Sequence, residues 1–369
     1  MLTRRNFNLA LSALGAGLAS GSRANAPLRV TAPPVLSPVR IQGQNTFTYE
    51  LLAQNLSEHS VCVGGLLISD RGTTRPLVRY SPEEILRRCT LLGDGDEGRS
   101  IPPGRQAIIY LEFPTATPLP AAVGHALTYS HEHIESVAVT ESFVGSAPIS
   151  LGAPVRGGPW AAVYHPAWRR GHRRVVNLRG DSPVIPGRFA IDWVRLDANG
   201  MIAAGDVDIP TNHLAYGADV LAVADAPVVA TRDGVLEARS IAANPAHSLS
   251  VASGNYIILR LAPQRFALYE HLRPNSLRVD VGDVVCRGQS IASIGFSGDS
   301  TGPHLHFHVA QSPSPVEGDG APFVIDQFTH LGAYEDIANL GRERWRARAG
   351  SPGGLRRQEH PASNAVVRF

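Results

Sequence analysis

Cysteine is scarce in this chain: among 369 residues only Cys62, Cys89 and Cys286 carry a thiol, and no two of them form a C-x-x-C pair. A structural zinc ribbon is therefore excluded. Cys62 and Cys89 are a candidate disulfide for an oxidising compartment, although their spacing alone does not establish one. Excess charge of one sign is also missing. The 34 basic and 32 acidic residues leave a formal +2 at pH 7, so no sustained field draws the chain to nucleic acid or anionic lipid. Beyond the N-terminal segment, no apolar run approaches the ~18 consecutive residues that a membrane helix needs. No integral membrane segment is expected in the mature chain.

What is present points to a folded, mostly β protein. Hydrophobic residues make up 43% and charged residues 18% of the chain, enough for a sizeable core and for two domains at this length. With 36 glycines and 28 prolines, turns between short strands are a better fit than long helices.

Residues 1–26 read as an export signal. Arg4-Arg5 precede Phe7, a moderately apolar run extends from Leu9 to Ala19, and small residues close the segment at Ser22–Ala26. The paired arginines resemble a twin-arginine address, and they imply a periplasmic or secreted protein.

Residues 27–145 alternate apolar and polar positions in short runs, at 46–52, 61–68, 106–113 and 137–144. Turn sequences such as Asp70-Arg71-Gly72 and Pro102-Pro103-Gly104 separate them. This rhythm predicts an immunoglobulin-like β-sandwich. Ser81-Pro82-Glu83-Glu84 predicts one short helix. Residues 146–162, rich in Gly, Pro, Ala and Ser, read as a linker to a second domain at 163–335. Residues 336–369 read as an arginine-rich, flexible tail.

The chemistry concentrates late in the second domain. In the strand that begins at His304, side chains alternate between faces, so His304, His306 and His308 share one face. Neighbouring neutral imidazoles suit a divalent metal. Ahead of them, Gly295-Phe296-Ser297-Gly298-Asp299-Ser300-Thr301-Gly302-Pro303 is a glycine-rich loop able to shape a groove. His131-Glu132-His133 in the first domain has no further ligands around it and reads as an exposed strand end.

Around this loop the sequence resembles the lysostaphin/LytM-type zinc metallopeptidases, the M23-like peptidoglycan endopeptidases. Three stretches carry the resemblance: Ser300-Thr301-Gly302-Pro303-His304-Leu305-His306-Phe307; Leu268-Tyr269-Glu270-His271-Leu272, with Glu where the family has Ala; and Val279 to Gln289 between them. Upstream, Gly217 to Asp225 and Gly254-Asn255 extend it, so that it covers residues 172 to 325. The resemblance implies an antiparallel β LytM-type peptidase domain, a Zn2+ cofactor and a peptidoglycan peptide as substrate. It further implies that His306 is a zinc ligand, that His304 and His271 flank the activated water as general base and transition-state stabiliser, and that His308 is not a ligand.

One departure from the family matters. The remaining two ligands usually come from His-x-x-x-Asp, and this chain has no such pair in the expected place. Asp192, in the apolar run Phe189-Ala190-Ile191-Asp192-Trp193, is the first candidate, because a lone carboxylate there needs a partner. With Arg188 four residues before it, the histidine must come from elsewhere. His172 is the choice, on a strand expected to pair with 189–194 through a hairpin. The rival pair is His213 with Asp219, but Asp219 falls where the family has proline. The missing motif keeps open a second class of function, a zinc-free domain acting as a wall-binding module or as an activator of another hydrolase. The amino-terminal domain is expected either to position the enzyme on its substrate or to cover the groove.

Overall fold

The computed structural model describes residues 26–93, 98–180, 182–346 and 353–369. The expected export signal lies outside these residues except for Ala26. Two compact units emerge: one comprises Gln44–Ala147 with the residues up to Pro38, the other Val39–Gly43 with Pro148–Phe369. Among the described residues no helix is long and apolar enough to cross a membrane.

In the first unit two sheets enclose one core. One runs in the order Leu28–Thr31, Gln44–Asn55, Gln106–Thr115, Cys89–Leu91, and the other Val35–Leu36, Ile134–Val144, Ala122–His131, Val61–Asp70, Pro76–Tyr80. Alternate residues point inward, so that Phe47, Tyr49, Leu51, Val61, Val63, Ile109 and Leu127 share the interior. The short helix forms at Pro82–Leu86 with Ser81 as its N-cap. Glu84 N donates to the Ser81 side chain, and Ser81 N donates to the Glu84 carboxylate, a complete capping box. His131 ends one strand, and Glu132 and His133 form the two-residue turn with φ of 47° and 66°, so this trio is hairpin geometry. All three cysteines are free, and the Cys62–Cys89 bond does not form.

The second unit is built on one large sheet. Its strands are β1 Ile149–Leu151, β2 Trp160–Val163, β3 Ile191–Arg195, β4 Ala226–Arg232, β5 Asn255–Ala262, β6 Arg265–Leu272, β7 Val284–Val285, β8 Leu305–Ala310, β9 Phe323–Ala333, β10 Gly354–Glu359 and β11 Ala365–Arg368. Their spatial order is β1–β9–β11–β2–β3–β8–β6–β5–β4–β7, with β10 against β9. All neighbours pair antiparallel except β1 with β9. The expected mostly β architecture is what forms.

Three elements differ from the sequence reading. The stretch expected to link the domains contributes β1 and opens β2, where Trp160 is only 1% exposed. The stretch expected to be a flexible tail supplies β10 and β11, and Val366 and Val367 are fully buried between β9 and β2. The density of arginine masks a strand with three apolar residues, Ala365, Val366 and Val367, too short to register against its surroundings. Finally, His172 opens a 3-10 turn, His172–Arg174, instead of a strand. The partners of β3 are β2 and β8, not a hairpin neighbour.

The faces of the central strands decide where the chemistry sits. From β3, β8 and β6, the side chains of Ile191, Trp193, Leu305, Phe307, Val309, Ala267 and Tyr269 enter the main core. The alternating positions Asp192, His306, His308 and Glu270 therefore lie on the opposite face. Register places Asp192 across from His306, and His306 across from Glu270.

Candidate metal centre

Asp192 stands at the middle of a group of imidazoles. Its Oδ2 is 2.9 Å from His172 Nε2, and its Oδ1 is 2.9 Å from His306 Nδ1 and 3.3 Å from His304 Nε2. The ligand atoms of His172, Asp192 and His306 all lie within 4.8 Å of one another. Two neighbouring ligands about 2.0–2.2 Å from a tetrahedral zinc sit roughly 3.3–3.5 Å apart, so this trio fits a zinc ion with little movement. The donor set of two neutral nitrogens and one carboxylate oxygen is one that zinc accepts.

The structure thus brings together His172, Asp192 and His306, whose separation in sequence hides them from a short motif. His172 reaches the site because its 3-10 turn packs beside a second one, Pro186–Phe189, which leads directly into β3. A side chain on Gly187 would run into His172 Cβ at 2.8 Å, so the close approach of the two turns needs glycine there. The rival pair is not assembled. His213 Nε2 bonds Val207 O at 2.8 Å, while Asp219 pairs with Arg278 and Ser290, each at 2.9 Å.

His271 and His304 stand next to this trio, their ring centroids 5.0 Å apart, and that of His271 lies 6.0 Å from that of His306. Each is anchored through Nδ1. His271 Nδ1 is 2.8 Å from Ser297 O, and His304 Nδ1 is 2.7 Å from Gly302 O. A carbonyl only accepts, so both Nδ1 atoms carry hydrogen; Nε2 of His271 is left for other chemistry, while Nε2 of His304 faces Asp192 Oδ1 at 3.3 Å. The carbonyls come from the glycine-rich loop, which is held in place by Asn244 Nδ2 donating to Gly298 O at 2.9 Å and to Ser300 O at 3.1 Å.

His271 gains its place by a break in the strand rule. Between the pairs Asn255–Leu272 and Ile257–Tyr269 the ladder slips, so that Glu270 and His271 together oppose Tyr256. His271 has φ of 61°, a left-handed conformation that is uncommon for a residue with a side chain. The bulge turns the imidazole from the core face, where alternation would place it, to the face of the other histidines. Nothing in the local sequence signals this slip.

The electrostatics follow from burial and from one another. Burial would push the Asp192 carboxyl up, but the imidazoles of His172 and His304 outweigh it and hold the group well below the usual carboxylate range. Burial lowers His304, yet Asp192 more than offsets it and the net shift is upward. His306 behaves alike, with Glu270 and Asp192 opposing burial. His271 falls well below its ordinary value, first through burial and then through the neighbouring imidazoles, so it is neutral near pH 7. Burial raises Glu270 and depresses His308.

Residues 213–318 match the family described as Peptidase family M23. The match begins after Asp192 and so does not include His172 and Asp192. The peptidoglycan DD-endopeptidase ShyC of Vibrio cholerae is 31% identical over 106 residues, which is 27% of this chain and 22% of that protein. ShyB of the same organism, also described as a peptidoglycan DD-endopeptidase, is 36% identical over 110 residues, 30% of this chain and 23% of that one. The chain thus spans under a quarter of the length of these relatives. Among solved structures, a mutant catalytic domain of the prophage-encoded M23 protein EnpA from Enterococcus faecalis covers 48% of this chain and 95% of its own, at 19% identity and a TM-score of 0.28. The likeness read from the motifs around His271 and His304–Phe307 is borne out: this chain carries a peptidase family M23 domain.

Proposed function

We propose that the protein is an exported zinc metalloendopeptidase that hydrolyses peptide cross-links of peptidoglycan. The observation that carries this reading is the convergence of His172 and His306 on the two oxygens of Asp192, each at 2.9 Å, with two further imidazoles alongside. The relatives named as peptidoglycan DD-endopeptidases support the substrate class. Arg4-Arg5 and the apolar run behind them support export.

In this reading His172, Asp192 and His306 hold the ion, which when bound supplies Lewis-acid activation of a water and of the scissile carbonyl. The chain's own residues do the rest. Because the Nδ1 hydrogens of His271 and His304 are tied to Ser297 O and Gly302 O, each neutral ring presents an Nε2 lone pair. One ring accepts the proton of the attacking water and hands it to the leaving amine. The other takes a proton from solvent and, as the imidazolium, donates its Nε2–H to the oxygen on which charge develops. Burial favours a neutral His271. The upward shift of His304 arises from Asp192, and an ion bound to that carboxylate would oppose it.

The test is zinc content and wall-lytic activity of the purified chain and its single variants. One zinc per chain is expected. Loss with His172→Ala, Asp192→Ala or His306→Ala, and retention with His213→Ala, is the expected pattern. His304→Ala and His271→Ala should keep the metal and lose lysis. A chain that takes up no zinc after reconstitution would overturn the enzyme reading and favour a wall-binding or activating role.

A further inference from the structure

Two buried side chains behind the metal centre have no part in the chemistry above. Glu270 is 6% and His308 1% exposed, and among the described residues Glu270 Oε1 and His308 Nε2 have no hydrogen-bond partner. A buried polar atom without a partner costs free energy and calls for an explanation. Both lie against the far side of His306: His308 Nδ1 is 3.1 Å from His306 Nε2, and Glu270 Oε1 is 3.5 Å from His308 Nδ1. The three ligand-type atoms of Glu270, His306 and His308 all fall within 4.8 Å of one another.

An imidazole that offers Nδ1 to a metal carries its proton on Nε2, and that N–H needs an acceptor to hold the ring and its tautomer. His306 turns Nδ1 to Asp192 and Nε2 to His308 and Glu270. We propose that Glu270 and His308 are positioning residues that receive the Nε2–H of His306 and so keep its Nδ1 lone pair aimed at the His172–Asp192 side. The sheet builds this arrangement without a special loop: Glu270 is the cross-strand partner of His306, and His308 is the next residue on the same face of the same strand.

The proposal rests on the metal centre of the preceding section, and its test separates the two. The full chain is titrated with Zn2+ against a chromophoric chelator, and the visible spectrum of its Co2+ form is recorded, for the parent and four variants. Glu270→Ala and His308→Leu remove an acceptor; Glu270→Gln and His308→Asn keep one. The first two are expected to weaken zinc binding 10- to 100-fold and to change the Co2+ bands, with one ion per chain throughout. The second two should recover most of the affinity and the spectrum, which a role in packing alone would not predict. Should Glu270→Ala fail to fold, His308→Leu carries the same comparison. Parent-like affinity and spectra in the folded acceptor-removing variants overturn the proposal. So does a parent that binds two ions and loses one in Glu270→Ala, because the pair would then be ligands. A parent that binds none overturns the centre itself.

Discussion

Glu270 and His271 are consecutive residues of one strand, yet both reach the same group of histidines. A regular strand sends neighbours to opposite faces; here the bulge opposite Tyr256 and the φ of 61° at His271 bring both to one side. The side chain that the reading above places at the reacting bond therefore sits on strained backbone, as functional residues often do.

That strain is measurable. A left-handed conformation costs a residue with a Cβ about 1–2 kcal/mol that glycine does not lose. His271→Gly is expected to be more stable than His271→Ala by about that amount in urea unfolding, while both lose 100-fold or more of the lytic rate. Equal stability would show that the bulge carries no such strain.

Zinc should stabilise the second unit through mass action. At a free concentration 1,000 times the dissociation constant, the gain is about 4 kcal/mol. Chelation is expected to lower the corresponding melting temperature, and added Zn2+ to restore it. His172→Ala and Asp192→Ala should melt at the same temperature with or without the ion, whereas His213→Ala should respond as the parent does. Differential scanning calorimetry distinguishes these cases.

Acid should weaken both units through buried neutral histidines. Burial lowers His125, whose Nε2 is 2.8 Å from Tyr49 Oη, to about 4, and does the same to His360. Each has an ordinary value of 6.5 when unfolded, so between pH 6.5 and about 4 the unfolded chain binds more protons and stability falls as pH falls. For either residue the full change is about 3 kcal/mol, reached near pH 4 and constant below it. His125→Gln should flatten this part of the pH profile for the first unit. Unchanged pH dependence in that variant would refute the assignment.

Gly298 tests the loop that anchors His271. Its φ is 74°, and a Cβ there would meet Ala252 O at 2.3 Å and Gly254 N at 2.4 Å, both backbone atoms. Gly298→Ala combines the left-handed penalty with that clash and should destabilise by more than 1 kcal/mol. It should also reduce the lytic rate by shifting Ser297 O away from His271 Nδ1. A variant with parental rate and stability would mean that the loop yields without consequence.

Much of this site was legible in the sequence, for reasons that can be named. The His304–His306–His308 face follows from strand alternation alone, and an acidic residue at 192 within an apolar run announces that it must have a partner. The resemblance favours His172 with Asp192 over His213 with Asp219, because Asp219 falls where the family has proline; the strand expected at His172 is a 3-10 turn, which has no two-residue period to read. The bulge at His271 was invisible because register slips depend on the neighbouring strand. Composition reads residues 336–369 as an arginine-rich tail, and it cannot detect that Val366 and Val367 fill a gap between strands distant in the chain.

The position of β11 has a consequence for making the protein. Trp160 and Ala161 in β2 pair with Val367 and Val366, which a ribosome adds some two hundred residues later. Until Arg368 has emerged, nascent β2 and β9 each present an open edge to other growing chains. Completion of the second unit is thus coupled to the synthesis of β11 rather than to that of its catalytic motifs. Phe369, whose ring lies 5.3 Å from Trp193, adds its side chain to the same late-made part of the core.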